Sequence, residues 1–278
     1  MKKINRRSFL AAAGLTAAAL ALTACGGSAS STASSTASSA ASSEAASTSA
    51  AAELTTVEAG KLTMATNAAF PPYEMTTDAG EFEGIDIDTA KAIAEKLGLE
   101  LQIDDMDFDA ALLSVQQGKA DIVMDGVTVT DERKAVMDFS DSYATGIQSI
   151  IVPEGSDITS PDDLAGKKIG TQRGTTGYIY CSDDFGDDAV VAYDDGLTAV
   201  QALNNGQVDA VVIDNAPAKE FVAANPGLVI LDTSYAEEDY AIGLAKGSAL
   251  EDAVNAALEE LKADGTLQSI VDKYITAE

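Results

Sequence analysis

The segment Gly126–Arg133 (Gly-Val-Thr-Val-Thr-Asp-Glu-Arg) holds residues suited to binding an anion. An apolar strand runs out through Gly126 and Thr128 into a helix whose first turn carries Arg133. A helix N-terminus already has a partial positive charge and unpaired N–H groups, so an arginine there gains nothing from the dipole. A bound carboxylate explains the arginine, because a guanidinium donates two parallel hydrogen bonds while the Thr128 hydroxyl and backbone N–H groups satisfy the remaining lone pairs. The alternative is a surface ion pair with a nearby acidic side chain.

Two further positions are candidates for ligand contacts. The glycine-containing turn at residues 172–177 precedes a predicted helix, which is a second place where an anion can bind, although ordinary turn chemistry is equally consistent with it. Asp214 is followed by Asn215, Ala216 and Pro217 at a predicted helix start. It either caps that helix or supplies a carboxylate to a ligand ammonium.

Several function classes are excluded by composition. The chain has no histidine, so histidine-based triads, metal triads and general bases are ruled out. Only two cysteines are present, too few for a thiolate zinc or iron–sulfur site, and we predict no metal and no cofactor. The acidic run at residues 105–109 resembles a calcium loop in spacing, but Ala110 stands at the glycine position. The net charge of -28 argues against nucleic acid as a partner.

The amino terminus predicts export and anchoring. Basic residues precede an apolar run at residues 9–22 that is too short to span a bilayer and has the charge order of a secretory signal. The run ends in Leu-Thr-Ala-Cys25, which resembles the bacterial lipobox, whose cysteine receives lipid. We therefore expect a signal peptide at residues 1–24, a lipid on Cys25 and a flexible Ser/Ala-rich linker at residues 25–56. A buried N-terminal helix is the alternative, and a twin-arginine-like segment leaves the export route open.

Strand and helix signals alternate through the rest of the chain. The patterns predict strands at residues 61–66, 99–103 and 120–124 and helices at residues 88–97 and 108–117. This βαβ alternation is typical of parallel sheets with ligand sites beyond the carboxyl ends of the strands. A weak repeat relates residues 111–125 to 198–214, and each copy is a helix, a glycine and a strand ending in aspartate. Two similar lobes follow, although glycine-ended helices are common in any α/β protein.

Six segments resemble, in order, the family 3 bacterial extracellular solute-binding proteins, which serve ABC importers of polar amino acids. They are residues 65–74, 84–88, 121–134, 138–143, 164–170 and 261–266. The resemblance implies an α/β, two-lobed, periplasmic-binding-protein-like (type II) fold. Each lobe is expected to be a mostly parallel sheet flanked by helices, and two crossing strands join the lobes. Lobe 1 is expected to comprise residues 57–146 and 238–278, and lobe 2 residues 147–237.

The same resemblance implies which residues hold a zwitterionic amino acid. Arg133 and Thr128 are expected to bind the α-carboxylate, with help from the Gly126 backbone and Thr176. The α-ammonium is expected on Asp214, on Thr128 and on a main-chain carbonyl. That carbonyl belongs to Asp125 or Gly126. A closing cleft must pair both charges, because an unpaired buried charge costs several kcal/mol.

The resemblance also implies a pocket for the ligand side chain, lined by Asn67, Phe70 and Phe108. Family members that bind cationic amino acids usually carry aspartate where this chain has Asn67, and Arg173 adds a positive charge near the turn in lobe 2. We therefore expect a polar neutral, acidic or cystine-like amino acid.

These observations predict a non-enzymatic, monomeric binding protein, lipid-anchored on the outer face of the cell membrane, that delivers a free amino acid to an ABC permease. Two alternatives remain. One is a dehydratase-type enzyme on the same scaffold, in which Glu74 or an aspartate would have to act as the acid. The other is a ligand-sensing ectodomain that acts on a partner in trans. For Cys181, a buried structural thiol is the favoured interpretation.

Overall fold

The computed structural model describes residues 54–275. The predicted signal peptide, Cys25 and the linker up to residue 53 lie outside the described residues. Within residues 54–275, none of the helices combines the length and apolar character needed to cross a membrane.

Strands and helices alternate along the described residues. The strands are β1 (Lys61–Thr66), β2 (Ala69–Phe70), β3 (Glu74–Thr76), β4 (Phe82–Glu83), β5 (Glu100–Asp105), β6 (Ile122–Val123), β7 (Met137–Phe139), β8 (Ala144–Pro153), β9 (Ile169–Gln172), β10 (Val190–Tyr193), β11 (Ala210–Asp214), β12 (Leu228–Ile230), β13 (Ala236–Tyr240) and β14 (Gly243–Ala245). The α-helices are α1 (Ile85–Leu97), α2 (Phe108–Gln116), α3 (Asp131–Lys134), α4 (Thr176–Phe185), α5 (Gly196–Asn204), α6 (Asn215–Ala224), α7 (Glu251–Ala263) and α8 (Thr266–Tyr274).

Two sheets form the centres of two lobes, as the sequence predicted. The sheet of lobe 1 has the strand order β5-β1-β6-β14-β7. The sheet of lobe 2 has the order β10-β9-β11-β8-β12, and β13 pairs along β8. A small antiparallel sheet, β2-β3-β4, adds to lobe 1. The chain enters lobe 2 through β8 and leaves it through β13, so this antiparallel pair corresponds to the two crossing strands.

Both sheets are mixed, whereas the sequence predicted mostly parallel ones. In each lobe the first strand, β1 or β9, lies parallel to the second and third strands on its two sides. The neighbouring strand, β14 in lobe 1 and β8 in lobe 2, is antiparallel. The physical reason is connectivity, because that strand enters each sheet from the other lobe instead of through a helical crossover.

The internal repeat occupies equivalent places in the two lobes, as α2–β6 and α5–β11. Asp121 Oδ2 accepts a hydrogen bond from the Thr63 backbone N–H at 2.8 Å. Asp209 Oδ2 likewise accepts one from the Lys168 N–H at 2.7 Å. In both lobes, the aspartate that precedes the third strand therefore links that strand to the first strand by a hydrogen bond.

The predicted elements agree with the structure except at their ends. Strand β1 has the predicted bounds, but α1 begins three residues earlier than predicted, at Ile85. The earlier start follows from tertiary packing, because Ile85 and Ile87 are both buried in the core of lobe 1. Cys181 is buried in α4, as expected of a structural thiol.

Three carboxyl groups are buried together behind the end of β6. Glu74 and Asp86 are fully buried, and Asp125 is 4% exposed. Neither carboxyl oxygen of Glu74, nor Oδ1 of Asp86 or Oδ2 of Asp125, has a hydrogen-bond partner among the described residues. A buried carboxyl group without a hydrogen-bond partner is costly to ionise, so it keeps its proton to a higher pH than an exposed one. Burial raises the pKa of Glu74 and Asp125 well above the ordinary value, and for Glu74 the charges of the two aspartates raise it further.

The cluster also supports the loop after β6. Asp86 Oδ2 accepts hydrogen bonds from the Gly126 N–H at 3.1 Å and from the Tyr143 hydroxyl at 2.7 Å. Burial nevertheless raises the Asp86 pKa to about 6. A proton retained by the cluster therefore lowers the electrostatic cost of placing three acids next to this loop.

We expect Glu74→Gln to increase the free energy of unfolding at pH 8 and to flatten its dependence on pH. A carboxyl group whose pKa is raised by folding keeps a proton that the unfolded chain has lost, so stability falls as pH rises from the unfolded pKa through the folded one. One such proton corresponds to a slope of about 1.4 kcal/mol per pH unit. An amide replaces the protonated acid as donor without titrating. Urea unfolding at pH 5, 6.5 and 8 measures both effects.

The matched control is Glu83→Gln, which makes the same charge change at an exposed position on the adjacent strand β4. Its unfolding free energy should show the wild-type slope. A Glu74→Gln protein that loses stability between pH 5 and pH 8 as steeply as wild type would contradict the interpretation that Glu74 retains a proton in the folded state.

Candidate ligand-binding site

A cavity lies between the two lobes, at the carboxyl ends of the parallel strands. Asp125 follows β6, Gln172 ends β9 and Asp214 ends β11, so residues from both sheets meet there. The lining residues are Phe70, Phe108, Asp125, Gly126, Thr128, Arg133, Gln148, Gln172, Thr175, Thr176, Val212, Ile213, Asp214 and Tyr240. Of the ten ligand-contacting residues predicted from the sequence, all but Asn67 and Arg173 are in this set.

Arg133 is buried in the wall of lobe 1, with 8% of its surface exposed. Its Nη1 donates a hydrogen bond to the Thr128 carbonyl at 2.8 Å, and its Nη2 donates to the Gly174 carbonyl of lobe 2 at 3.2 Å. The guanidinium carbon lies 5.3 Å from the centroid of the Phe108 ring, a cation–π distance. Burial lowers the Arg133 pKa and the Glu238 charge opposes that shift. A guanidinium has five N–H donors, so hydrogen-bonding capacity remains for a carboxylate.

Two glycines next to the cavity lie so close to neighbouring side chains that a Cβ atom would not fit. Gly126 has φ 51°, and a Cβ there would lie 2.9 Å from Phe70 Cε1 and 3.2 Å from Tyr240 Cε2. Gly174 has φ 73°, and a Cβ there would collide with the Asp109 carboxylate of lobe 1. The Gly126 N–H is already bonded to the carboxyl cluster, so the carbonyl is the Gly126 group that a ligand can use.

Asp214 is buried in the wall of lobe 2, with 2% of its surface exposed. Its Oδ1 accepts a hydrogen bond from the Ala216 N–H at 3.0 Å and so caps α6. Its Oδ2 accepts one from the Ile147 N–H at 2.7 Å. Burial raises the Asp214 pKa to about 6, although these backbone hydrogen bonds lower it. Each oxygen keeps a further lone pair, so capping the helix and binding an ammonium are compatible.

Two threonine hydroxyls from opposite lobes meet in the cavity wall. Thr128 Oγ1 lies 3.4 Å from Thr176 Oγ1. Both hydroxyls donate to Glu238 Oε2, at 3.2 Å and 2.9 Å respectively. Gln148 Nε2 donates to the same oxygen at 3.1 Å. A buried carboxylate from β13 therefore gathers donors from both lobes.

The remaining two predicted residues lie outside the cavity lining. Asn67 Oδ1 accepts a hydrogen bond from Gln172 Nε2 at 2.9 Å, so Asn67 contacts the cavity wall across the lobes. Arg173 is exposed, with Nη2 3.7 Å from Asp194 Oδ1 and 3.4 Å from the Ala192 carbonyl. The positive charge of Arg173 thus belongs to the surface of lobe 2 in this structure.

Sequence reasoning missed six lining residues, which are Gln148, Gln172, Thr175, Val212, Ile213 and Tyr240. Gln172 could have been found, because it ends a parallel strand as Asp214 does. Gln148 and Tyr240 lie on the crossing strands, whose pairing joins positions far apart in the chain and leaves no local pattern. Within residues 54–275, acidic and cysteine side chains form no group that could hold a metal ion.

Comparison with known proteins places this geometry in a family. The model for bacterial extracellular solute-binding proteins, family 3, matches residues 62–277. The chain is 32% identical over 283 residues to a probable histidine-binding protein of Neisseria gonorrhoeae, covering 99% of this chain and 98% of the relative. It is 33% identical to the L-cystine-binding protein TcyJ of Escherichia coli, covering 80% and 85%.

Solved structures give the same result for the fold. The structure described as an ancestral arginine-binding protein bound to glutamine superposes with a TM-score of 0.75 at 42% sequence identity. The match covers 78% of this chain and 99% of that one. The chain therefore belongs to the bacterial extracellular solute-binding proteins, family 3.

Proposed function

We propose that this amino acid-binding protein of an ABC import system holds its ligand as a zwitterion between the two lobes, with the α-carboxylate on Arg133 and the α-ammonium on Asp214. The observation that carries the proposal is the burial of these two opposite charges in walls of the same cavity, one in each lobe. An amino acid carries both countercharges on one carbon. Its binding satisfies the two residues together, which favours the closed cleft that a permease can distinguish from the open one.

Arg133 supports the carboxylate end of the site. Two of its nitrogens are fixed by the Thr128 and Gly174 carbonyls, and the Phe108 ring lies within cation–π distance. A guanidinium held in this way is preorganised, so little side-chain entropy is lost when a carboxylate binds. Thr176, the first residue of α4, is the expected contact from lobe 2 through its main-chain N–H group.

Asp214, Thr128 and a main-chain carbonyl of Asp125 or Gly126 form the proposed ammonium end. The pKa of Asp214, about 6, leaves it mostly ionised at neutral pH, as an ammonium partner must be. Asp125 lies at the equivalent strand end in lobe 1, but its raised pKa favours the neutral acid. One ionised carboxylate then faces one ammonium.

For the ligand side chain we propose a polar neutral, acidic or cystine-like group. Phe70 and Phe108 supply apolar surface, and the Asn67–Gln172 pair is neutral and can both donate and accept hydrogen bonds. Among the relatives, one is named for cystine, and the matched ancestral structure is described as arginine-binding and bound to glutamine. The scaffold therefore accepts different side chains, which makes individual lining residues the source of specificity.

We further propose an extracytoplasmic location with a lipid anchor on Cys25. The lipobox-like sequence and the Ser/Ala-rich linker at residues 25–56 support it. In this proposal lobe 1 comprises residues 57–146 and 238–278, and lobe 2 residues 147–237.

Arg133→Ala should weaken amino acid binding by about 2–5 kcal/mol, or about thirtyfold to several thousandfold, because it leaves a carboxylate unpaired in the closed cleft. Calorimetric titration measures the loss, and circular dichroism checks that the fold is retained. The matched control is Arg173→Ala, which removes an exposed arginine outside the cavity and should bind within threefold of wild type. Equal effects of the two changes would show that Arg133 does not hold the carboxylate.

Arginine and lysine should bind at least about tenfold more weakly than the best neutral or acidic amino acid or cystine. The reason is that the neutral Asn67 supplies no negative charge to pair with their cationic side chains. Asn67→Asp should reduce the difference in binding free energy between these two groups of ligands by about 1–2 kcal/mol. Competition titrations on the two proteins measure both values. Asn205→Asp, which adds the same charge at an exposed site, serves as the control, and a wild-type preference for arginine would contradict the proposed ligand class.

Cys25→Ser should release the protein from membranes, because the lipobox-like sequence then has no thiol to receive lipid. Fractionation of cells and mass spectrometry of the amino-terminal peptide measure this directly. Cys181→Ala, which removes the other cysteine of the chain, should leave membrane association unchanged. Continued membrane association of the Cys25→Ser protein would refute the anchor.

A further inference from the structure

Glu238 is a buried carboxylate at the junction of the two lobes that the proposed ligand contacts do not include. It lies in β13, the strand by which the chain leaves lobe 2, and only 6% of its surface is exposed. Its Oε2 accepts three hydrogen bonds, from Thr128 of lobe 1, from Thr176 of lobe 2 and from Gln148 of β8. All three donors line the cavity, whereas Glu238 lies behind them.

These hydrogen bonds determine what the threonines can offer to a ligand. A hydroxyl has one hydrogen and two lone pairs. Because Thr128 and Thr176 both donate to Glu238, the oxygens of both hydroxyls keep only acceptor capacity. An acceptor suits the α-ammonium of an amino acid and repels its α-carboxylate. Thr128, which the sequence assigned to both ends of the ligand, then contributes its side chain to the ammonium end alone.

The negative charge of Glu238 also acts on the positive charge of Arg133. Among the charged groups that raise the pKa of the buried Arg133, the carboxylate of Glu238 has the largest effect. It therefore helps keep the guanidinium ionised while burial acts against the charge. The Thr128 residue joins the two, since its carbonyl accepts from Arg133 and its hydroxyl donates to Glu238.

We infer that Glu238 is a positioning residue for ligand selection, whose carboxylate turns the Thr128 and Thr176 hydroxyls so that their lone pairs accept from the α-amino group. The inference rests on the proposed function, because it requires an ammonium next to Asp214 and Thr128. A residue of the crossing strand β13 then determines how well the site distinguishes an amino acid from an acid that lacks the amino group. In Glu238→Gln the side-chain NH₂ can donate to the threonine oxygens and reverse the hydroxyls.

The test compares two probes on the full-length protein. The first is the tightest binder among the twenty proteinogenic L-amino acids and L-cystine, and the second is the α-hydroxy acid with the same side chain. Wild type should bind the amino acid more tightly than the hydroxy acid. Glu238→Gln should reduce the ratio of the two affinities about tenfold or more, mainly by weakening the binding of the amino acid. The control Glu237→Gln makes the same charge change at the exposed neighbouring position and should keep the wild-type ratio.

Two further variants separate positioning from a purely structural role. Glu238→Asp keeps the charge but withdraws the acceptor by one methylene, so it should also reduce the ratio if orientation matters. In a background that carries both Thr128→Val and Thr176→Val, and so lacks the two hydroxyls, Glu238→Gln should change the ratio by less than threefold. Should Glu238→Gln fail to fold by circular dichroism, Glu238→Asp decides the question.

The outcomes are distinguishable. If wild type prefers the amino acid and both Glu238 variants keep the full preference, the positioning role is wrong while the proposed function stands. If wild type binds the hydroxy acid as tightly as the amino acid, or binds no member of the panel, the proposed ammonium site fails and the positioning role fails with it.

Discussion

Two opposite charges buried in one cleft are the constraint on which this structure depends. A buried ion costs several kcal/mol unless it is paired or hydrogen-bonded. Arg133 meets this requirement by donating to main-chain carbonyls of both lobes, and Asp214 by accepting from backbone N–H groups. Backbone dipoles therefore hold each charge in place and leave part of its hydrogen-bonding capacity for a ligand. The geometry favours a small molecule with a carboxylate and an ammonium close together.

The repeated βαβ unit explains why such residues come together. Third strands β6 and β11 occupy equivalent places in the two sheets, and each leads to an aspartate at its carboxyl end. Equivalent positions have nevertheless acquired different chemistry. Asp125 lies against Glu74 and Asp86 and its pKa rises well above the ordinary range, whereas Asp214 has two backbone donors and a pKa of about 6. The surroundings, and not the residue type, decide which carboxylate is ionised.

Local signals in the sequence predicted the βαβ units and part of the site, whereas the crossing strands and the lining residues Phe70 and Phe108 were implied only by the resemblance to the family. Strand β1, helix α2 and the Gly126–Arg133 loop follow from periodicity and from residue types at strand ends. The mixed sheets and the side chains of Gln148, Glu238 and Tyr240 could not be predicted in this way. The mixed sheets depend on β14 and β8, which enter their sheets from the other lobe. The three side chains depend on the antiparallel pairing of β8 with β13, which brings together residues about ninety positions apart. Asn67 was expected in the pocket, but it lies outside the lining, where its side chain is hydrogen-bonded to Gln172 of the other lobe.

A crystal structure of the protein with its bound amino acid is the most direct test of the central claim. The ligand carboxylate should lie about 2.7–3.0 Å from guanidinium nitrogens of Arg133, and the α-ammonium at a similar distance from the Asp214 carboxylate. Both groups should be enclosed between the lobes. A ligand whose carboxylate makes no contact with Arg133, or whose ammonium lies away from Asp214, would contradict the account.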